Sequence, residues 1–156
     1  MRLRSIGSAR SMREGTARRL SALHTRLYRL SGGRIGRRLV QNDMLLLTTR
    51  GRRSGRPHTV PLLYLRDEDD VFVIASWGGR DQPPHWYLNA ISDPAVMVQI
   101  DGKRTPAVAA PLPEPERTTR WNQAVRAYGG YARYQARTQR VIPVLRLALE
   151  AAPSEA

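Results

Sequence analysis

From residue 44 onward the apolar residues of this chain follow a period of two, in short runs separated by short turns. Met44–Thr49, Thr59–Arg66, Val71–Ser76, Ala95–Ile100, Arg104–Ala109 and Val141–Leu149 read as strands. Parallel neighbours need crossovers of a dozen or more residues. The loop Gly51–Pro57, the acidic turn Asp67–Asp70 and the two-residue turn Asp101-Gly102 are all too short for that. The sheet is therefore expected to be mostly antiparallel. The unbroken apolar run of Val71–Ser76 predicts a strand buried on both faces, and Pro143 points to an edge position for the last strand. Helices are expected at Pro83–Ile91, with Pro83 or Pro84 in its first turn, at Glu114–Tyr128, and in a short piece ending near Gln139. Five or six strands with helices set to the ends describe an α+β domain curled into a partly closed barrel.

At 156 residues, 41% hydrophobic and 25% charged, the chain is sized and composed for one folded domain. It holds no cysteine, which excludes a disulfide scaffold, a thiolate metal site and a cysteine nucleophile. His24, His58 and His85 match no zinc spacing, so no metal is expected. No apolar run is long enough to span a bilayer or to act as a secretory core.

The net charge of +13 lies entirely within residues 1–60, where fifteen arginines face Glu14 and Asp43. Residues 1–40 read as a basic arm followed by an amphipathic helix over Met12–Leu30, with Leu20, Leu23, Leu27 and Leu30 on one face. Residues 41–149 form the barrel domain, and 150–156 a frayed tail. A basic amphipathic helix suits an anionic membrane surface, reached through residues 12–38, and equally suits packing on its own domain. Basic charge without a reading motif gives no ground for a specific nucleic-acid partner.

Three clusters carry chemistry. In G-R-R-S-G-R-P, residues 51–57, four arginines crowd two glycines if Arg50 is counted; glycine admits an anion to the backbone and arginine adds forked donors. As an isolated loop it reads equally well as a solvated turn. Ser76-Trp77-Gly78-Gly79, followed by Pro84–Asn89, opens room for a flat ligand, with Trp77 or Trp86 as an apolar wall and Ser76 and Asn89 as directed donors or acceptors. Core packing of a tryptophan-rich helix is the alternative. Tyr128, Tyr131 and Tyr134, spaced by three, place their rings together on a helix if Gly129-Gly130 does not unwind it. The acidic residues at 67–70 read as a solvated turn, and no nucleophile–base pattern is visible. A cradle for an anion, a flat cleft and no acid–base machinery suit chemistry done by a bound cofactor.

These stretches resemble the deazaflavin-dependent nitroreductase and quinone reductase family, which uses coenzyme F420 on a flavin-binding split β-barrel. The resemblance is carried by L-L-L-T-T-R-G-R-R-S-G-R-P-H-T-V-P-L at 45–62, A-S-W-G-G at 75–79, P-H-W-Y-L-N at 84–89, D-P at 93–94, the three tyrosines, and R-V-I-P-V at 140–144. It implies a reductase that passes hydride from reduced deazaflavin to a quinone, nitroaromatic or similar flat acceptor. It also implies that Arg52, Arg53, Ser54 and Arg56 hold the phosphate and acidic tail. Ser76, Gly78 and Gly79 would lie along the coenzyme, with Trp86, Asn89 and Pro61 framing it. Tyr128, Tyr131 and Tyr134 would cover the substrate side, Tyr131 and Ser76 assisting the chemistry. At the matching positions, Trp77 stands where relatives often carry lysine and His58 where they often carry arginine; both remove fixed charge beside the coenzyme. FMN fits the fold, but the acidic tail of the deazaflavin makes better sense of the arginine loop. The alternative function is a non-catalytic split barrel that binds lipid. The expected location is cytoplasmic, with residues 12–38 a basis for attachment to the inner face of the plasma membrane.

Overall fold

The computed structural model of the chain describes residues 44–151. The basic arm and the helix expected over Met12–Leu30 lie outside the described residues, as do residues 152–156. Six strands, β1 (Met44–Arg50), β2 (Pro57–Asp67), β3 (Asp70–Ile74), β4 (Ala95–Ile100), β5 (Lys103–Pro111) and β6 (Val144–Leu149), close into a barrel in the order β1-β2-β3-β6-β5-β4. All six neighbouring pairs are antiparallel. Closure is complete rather than partial, because β4 returns to β1 through Leu46↔Gln99, Leu47↔Val98 and Thr48↔Met97. A closed barrel leaves no unpaired strand edge.

Alternation sorts the side chains. Leu45, Leu47, Val71, Val73, Val96, Val98, Leu145 and Leu147 point inward and form the main core. Phe72, Ile74 and Val144 face outward and are buried beneath two helices, α2 (Glu116–Ala127) and α3 (Gly130–Ala136). That double cover explains why β3 reads as an unbroken apolar run. Each fully buried leucine or phenylalanine contributes about 1.5–3 kcal/mol. Polar ties fix α2 to the barrel: Arg117 donates to the Ile142 carbonyl at 2.7 and 3.2 Å, and Arg120 pairs with Asp67 while lying over the Phe72 ring.

The hairpins follow their turn chemistry. Asp101 and Gly102 both adopt positive φ, 50° and 82°, as a two-residue turn of the twist-compatible type requires. Pro143 does not mark an edge. The last strand begins one residue later, at Val144, and runs between β3 and β5; Pro143 lends its carbonyl to the Ala75 N–H at 3.0 Å, so its missing donor costs no ladder bond. Helix α1 (His85–Ser92) has Pro84 just before it, and it meets β1 where Asn89 donates to the buried Thr49 hydroxyl.

Every strand end that carries candidate chemistry lies at one end of the barrel. The loop between β1 and β2, the segment after β3, α1 and the segment leading into β6 are all there. The opposite end holds the two tight hairpins.

Candidate functional site

The loop between β1 and β2 is closed by its own backbone. Gly51 donates to the Arg56 carbonyl and accepts from the Gly55 N–H, both at 2.8 Å. Gly51 must lack a side chain, because a Cβ there would strike Ser54 and His58. Asn89, buried on α1, fastens the loop from below: its Oδ1 accepts from the Arg52 N–H at 3.2 Å and from the Arg52 guanidinium at 2.9 Å. Arg52 is thus committed to the scaffold. Its other terminal nitrogen lies 3.5 Å from His85 Nδ1. Arg53 and Arg56 are exposed, and their guanidinium groups have no partner among the described residues. Ser54 accepts from the Arg56 N–H at 3.2 Å, and His58 Nε2 stands 3.4 Å from the same hydroxyl.

The second piece follows β3. Ser76 is in the right-handed region and Trp77 in the left-handed one, φ 45°, followed by Gly78 and Gly79 at 65° and 82°. A right-handed residue followed by a left-handed one turns successive N–H groups toward a common point, the geometry of an anion-binding nest. The N–H groups of Ser76, Trp77 and Gly78 have no hydrogen-bond partner among the described residues. Trp77 bears an unfavourable conformation for a bulky residue, and two contacts hold it: the Arg80 guanidinium over its ring at 4.5 Å and the His85 ring at 5.6 Å. Behind the turn, Arg137 donates to the Gly78 carbonyl at 3.2 Å, and Arg140 donates to the carbonyls of Ala75, Ser76 and Arg80. Burial lowers the Arg140 pKa, yet the group remains a cation throughout the neutral range.

The third piece is the tyrosine cluster. Gly129-Gly130 does interrupt the helix: Tyr128 is extended, φ −146°, at the end of α2, while Tyr131 and Tyr134 lie on α3. The rings meet nonetheless, with centroids 5.2–6.4 Å apart, and the Tyr128 and Tyr134 hydroxyls are 3.3 Å from one another. Gly79 packs against the Tyr134 backbone so closely that a Cβ would collide with its carbonyl, which joins this cluster to the turn. Tyr131 is 8% exposed, and its hydroxyl has no hydrogen-bond partner among the described residues. Burial, then the neighbouring tyrosines, push its pKa well above the ordinary phenol value. It stays a neutral O–H donor. Tyr131 also lines a cavity of about 340 Å³ between β2 and α2, together with Leu63, Leu65 and Tyr128.

The structure therefore links Arg52, Asn89, His85, Trp77, Gly79 and the tyrosines in one chain of contacts. Pro61 lies on β2 opposite Leu46. Trp86 is set apart from this chain: it is buried in the main core, and its neighbour His85 faces the loop instead. Four residues carry the site's scaffold without standing out in the sequence: Thr49, His85, Arg137 and Arg140. The stretches that carry the family resemblance contain Thr49, His85 and Arg140 but single none of them out, and Arg137 lies in none of those stretches.

A family model described as F420H(2)-dependent quinone reductase matches residues 20–148. A protein named F420H(2)-dependent quinone reductase from Mycobacterium tuberculosis is 37% identical over 134 residues, covering 81% of this chain and 87% of the relative. A solved structure described as an F420-H2 dependent reductase is 39% identical with a TM-score of 0.62, covering 67% of this chain and 92% of that one. Another, described as a domain-swapped dimer, is 35% identical with a TM-score of 0.65, covering 87% and 96%.

Proposed function

The chain belongs to the F420H(2)-dependent quinone reductase family, and from that membership we propose how its own residues serve the reaction. The protein is an oxidoreductase that passes hydride from reduced coenzyme F420 to a quinone. Bound reduced deazaflavin supplies the hydride. The protein supplies binding, orientation and a proton.

The residues present suit an anionic coenzyme. Among the described residues the Arg53 and Arg56 guanidinium groups have no partner, on a loop tied down by Arg52 and Asn89, and neither do the Ser76–Gly78 amides. We assign Arg53 and Arg56, with the Ser54 and His58 side chains beside them, to the acidic tail and phosphate. Ser76, Trp77, Gly78 and Gly79 are assigned to the face of the ring system, with Pro61 at its side. Arg52 and Asn89 position the loop, and Trp86 supports α1 from the core.

The cavity lined by Leu63, Leu65, Tyr128 and Tyr131 is the proposed acceptor site, with Tyr134 at its margin through Tyr128. A quinone gains negative charge as it takes up hydride, and a preorganised neutral hydroxyl stabilises that charge as it develops. Tyr131 meets that need, being protonated, largely buried and without a hydrogen-bond partner among the described residues. That hydroxyl, without a partner among the described residues and at the wall of the cavity, is the observation that carries the assignment. Ser76 is the second candidate donor. Nitroaromatics are flat acceptors that the same cavity admits. Stopped-flow loss of reduced-deazaflavin absorbance on mixing with a soluble quinone tests it: Tyr131→Phe is expected to slow the transfer step about 100-fold, and an unchanged rate removes the tyrosine from the chemistry.

Attachment of residues 12–38 to an anionic membrane, within the cytoplasm, rests on the arginine-rich amphipathic pattern of those residues. Cosedimentation with phosphatidylglycerol vesicles tests it. Among the described residues, no helix is long and apolar enough to cross a membrane.

A further inference from the structure

Two arginines of the segment between α3 and β6 take up the carbonyls of the turn that follows β3. Arg140 donates from Nε to the Arg80 carbonyl at 2.8 Å, and from Nη2 to the carbonyls of Ala75 and Ser76 at 3.2 and 2.9 Å. Arg137 donates to the Gly78 carbonyl at 3.2 Å. In a trans peptide the C=O and the following N–H share a plane and point opposite ways. A guanidinium nitrogen that takes the Ala75 and Ser76 carbonyls therefore directs the N–H groups of Ser76 and Trp77 away from itself, to the other side of the turn. Neither N–H has a partner among the described residues. The positive charge behind each carbonyl also polarises the peptide unit, which strengthens its N–H as a donor. Trp77 brings no charge to this turn, so the cation acts from behind, through the backbone.

Arg140 is itself fixed at both of its backbone groups. Its N–H donates to the Thr138 hydroxyl oxygen at 3.3 Å, and its carbonyl accepts from Gln135 Nε2 at 2.7 Å. Thr138 is anchored in turn, its hydroxyl donating to Asp81 Oδ1 at 2.9 Å. Gln135 lies on α3, the helix that carries Tyr131 and Tyr134. Its Oε1 accepts from the Ile142 N–H at 3.1 Å, so one side chain grips the segment on either side of Val141. The arginine is thus set in place before any ligand arrives.

We propose that Arg140 is a positioning residue for the coenzyme side. Its forked hold on the Ala75, Ser76 and Arg80 carbonyls aims the Ser76 and Trp77 amides at an electron-rich acceptor atom of the coenzyme, and Arg137 steadies Gly78. Arg140 acts through those amides and itself stays behind the turn. That the ligand is F420 rests on the function proposed above; the hold on the carbonyls does not.

The NMR resonances of the Ala75 and Ser76 carbonyl carbons, recorded on the full chain without ligand, read the hold. Isothermal titration with oxidised F420 reads its consequence. Arg140→Ala is expected to move both resonances upfield and to weaken F420 binding about tenfold. Methylguanidinium is expected to restore binding where methylammonium at the same concentration does not, because only the former presents a fork. Unmoved resonances overturn the hold, and an unchanged affinity overturns the positioning. Rescue by neither cation, or by both alike, overturns the role of the fork. Arg120→Ala removes the partner of Asp67 at the opposite end of the barrel. It should lower Tm and leave F420 affinity unchanged; an equal loss of affinity there would reduce Arg140 to a general effect on the fold and overturn the proposal. Should Arg140→Ala not fold, Arg140→Lys keeps the charge without the fork and is expected to bind F420 about tenfold more weakly. Equal affinity in that variant overturns the proposal. If the unaltered protein does not bind F420, the functional reading fails and the role of Arg140 toward the coenzyme with it, while the resonances still judge the hold on the carbonyls.

Discussion

Arg52 and Arg53 are neighbours in the chain with different tasks. Arg52 is spent on Asn89, while Arg53 and Arg56 are exposed and their guanidinium groups have no partner among the described residues. The sequence shows four arginines around two glycines and treats them alike, because the Asn89 contact spans 37 residues. Mutation should therefore separate them. Replacing Arg53 and Arg56 with alanine should weaken coenzyme binding about tenfold for each arginine, about 1.4 kcal/mol apiece, and leave thermal stability unchanged. Arg52→Ala should weaken binding and lower Tm together. Isothermal titration with a parallel melt distinguishes the two. Tyr131 makes a second residue-level prediction. Its pKa is raised in the fold above the ordinary 10.0, so only the unfolded chain ionises it just above that pH. Its contribution to stability is whole below pH 10 and is lost as pH rises toward the folded value. Tyr131→Phe should flatten the fall of denaturation midpoint above pH 10, whereas an unchanged slope would place the phenol in water.

Elements explain what residue types alone could not. Spacing by three brings Tyr128, Tyr131 and Tyr134 together on paper as one helix, yet Gly129-Gly130 breaks that helix and the rings still meet. Three tyrosines in the sequence were enough to locate the cluster, but not its cause, which is the fold-back of α3 onto the turn at Gly79. Adjacent helical positions point about 100° apart, so either His85 or Trp86 could have faced the loop; core burial took the tryptophan and left the histidine. Gly79 is where two elements press together. Gly79→Ala would put a methyl group into the Tyr134 carbonyl at a φ of 82°. A positive φ alone costs about 1–2 kcal/mol, so the variant should lose several degrees of Tm and both coenzyme affinity and turnover. Coupled loss of the two activities, read against Tyr131→Phe losing turnover only, checks that the turn joins the coenzyme side to the acceptor side.

At the scale of the whole molecule, short gaps made the antiparallel sheet legible, since Gly51–Pro57, Asp67–Asp70 and Asp101-Gly102 exclude crossovers. Full closure was not legible. It depends on β4 returning to β1 and β6 entering between β3 and β5, pairings between segments far apart in the chain with no local signal. Closure sorts the loops into two ends, and the exposed arginines of one end face away from the acidic turn of the other. The groove proposed for the acceptor runs along the outside between them. We propose that the arginine-rich end binds the deazaflavin coenzyme. Titration of the protein with oxidised F420 and, in parallel, with FMN, followed by tryptophan quenching at Trp77, tests it most directly. The account predicts micromolar binding of F420 that Arg53→Ala/Arg56→Ala weakens, with FMN much weaker in both proteins. Equal binding of FMN, or F420 binding indifferent to the two arginines, would contradict it.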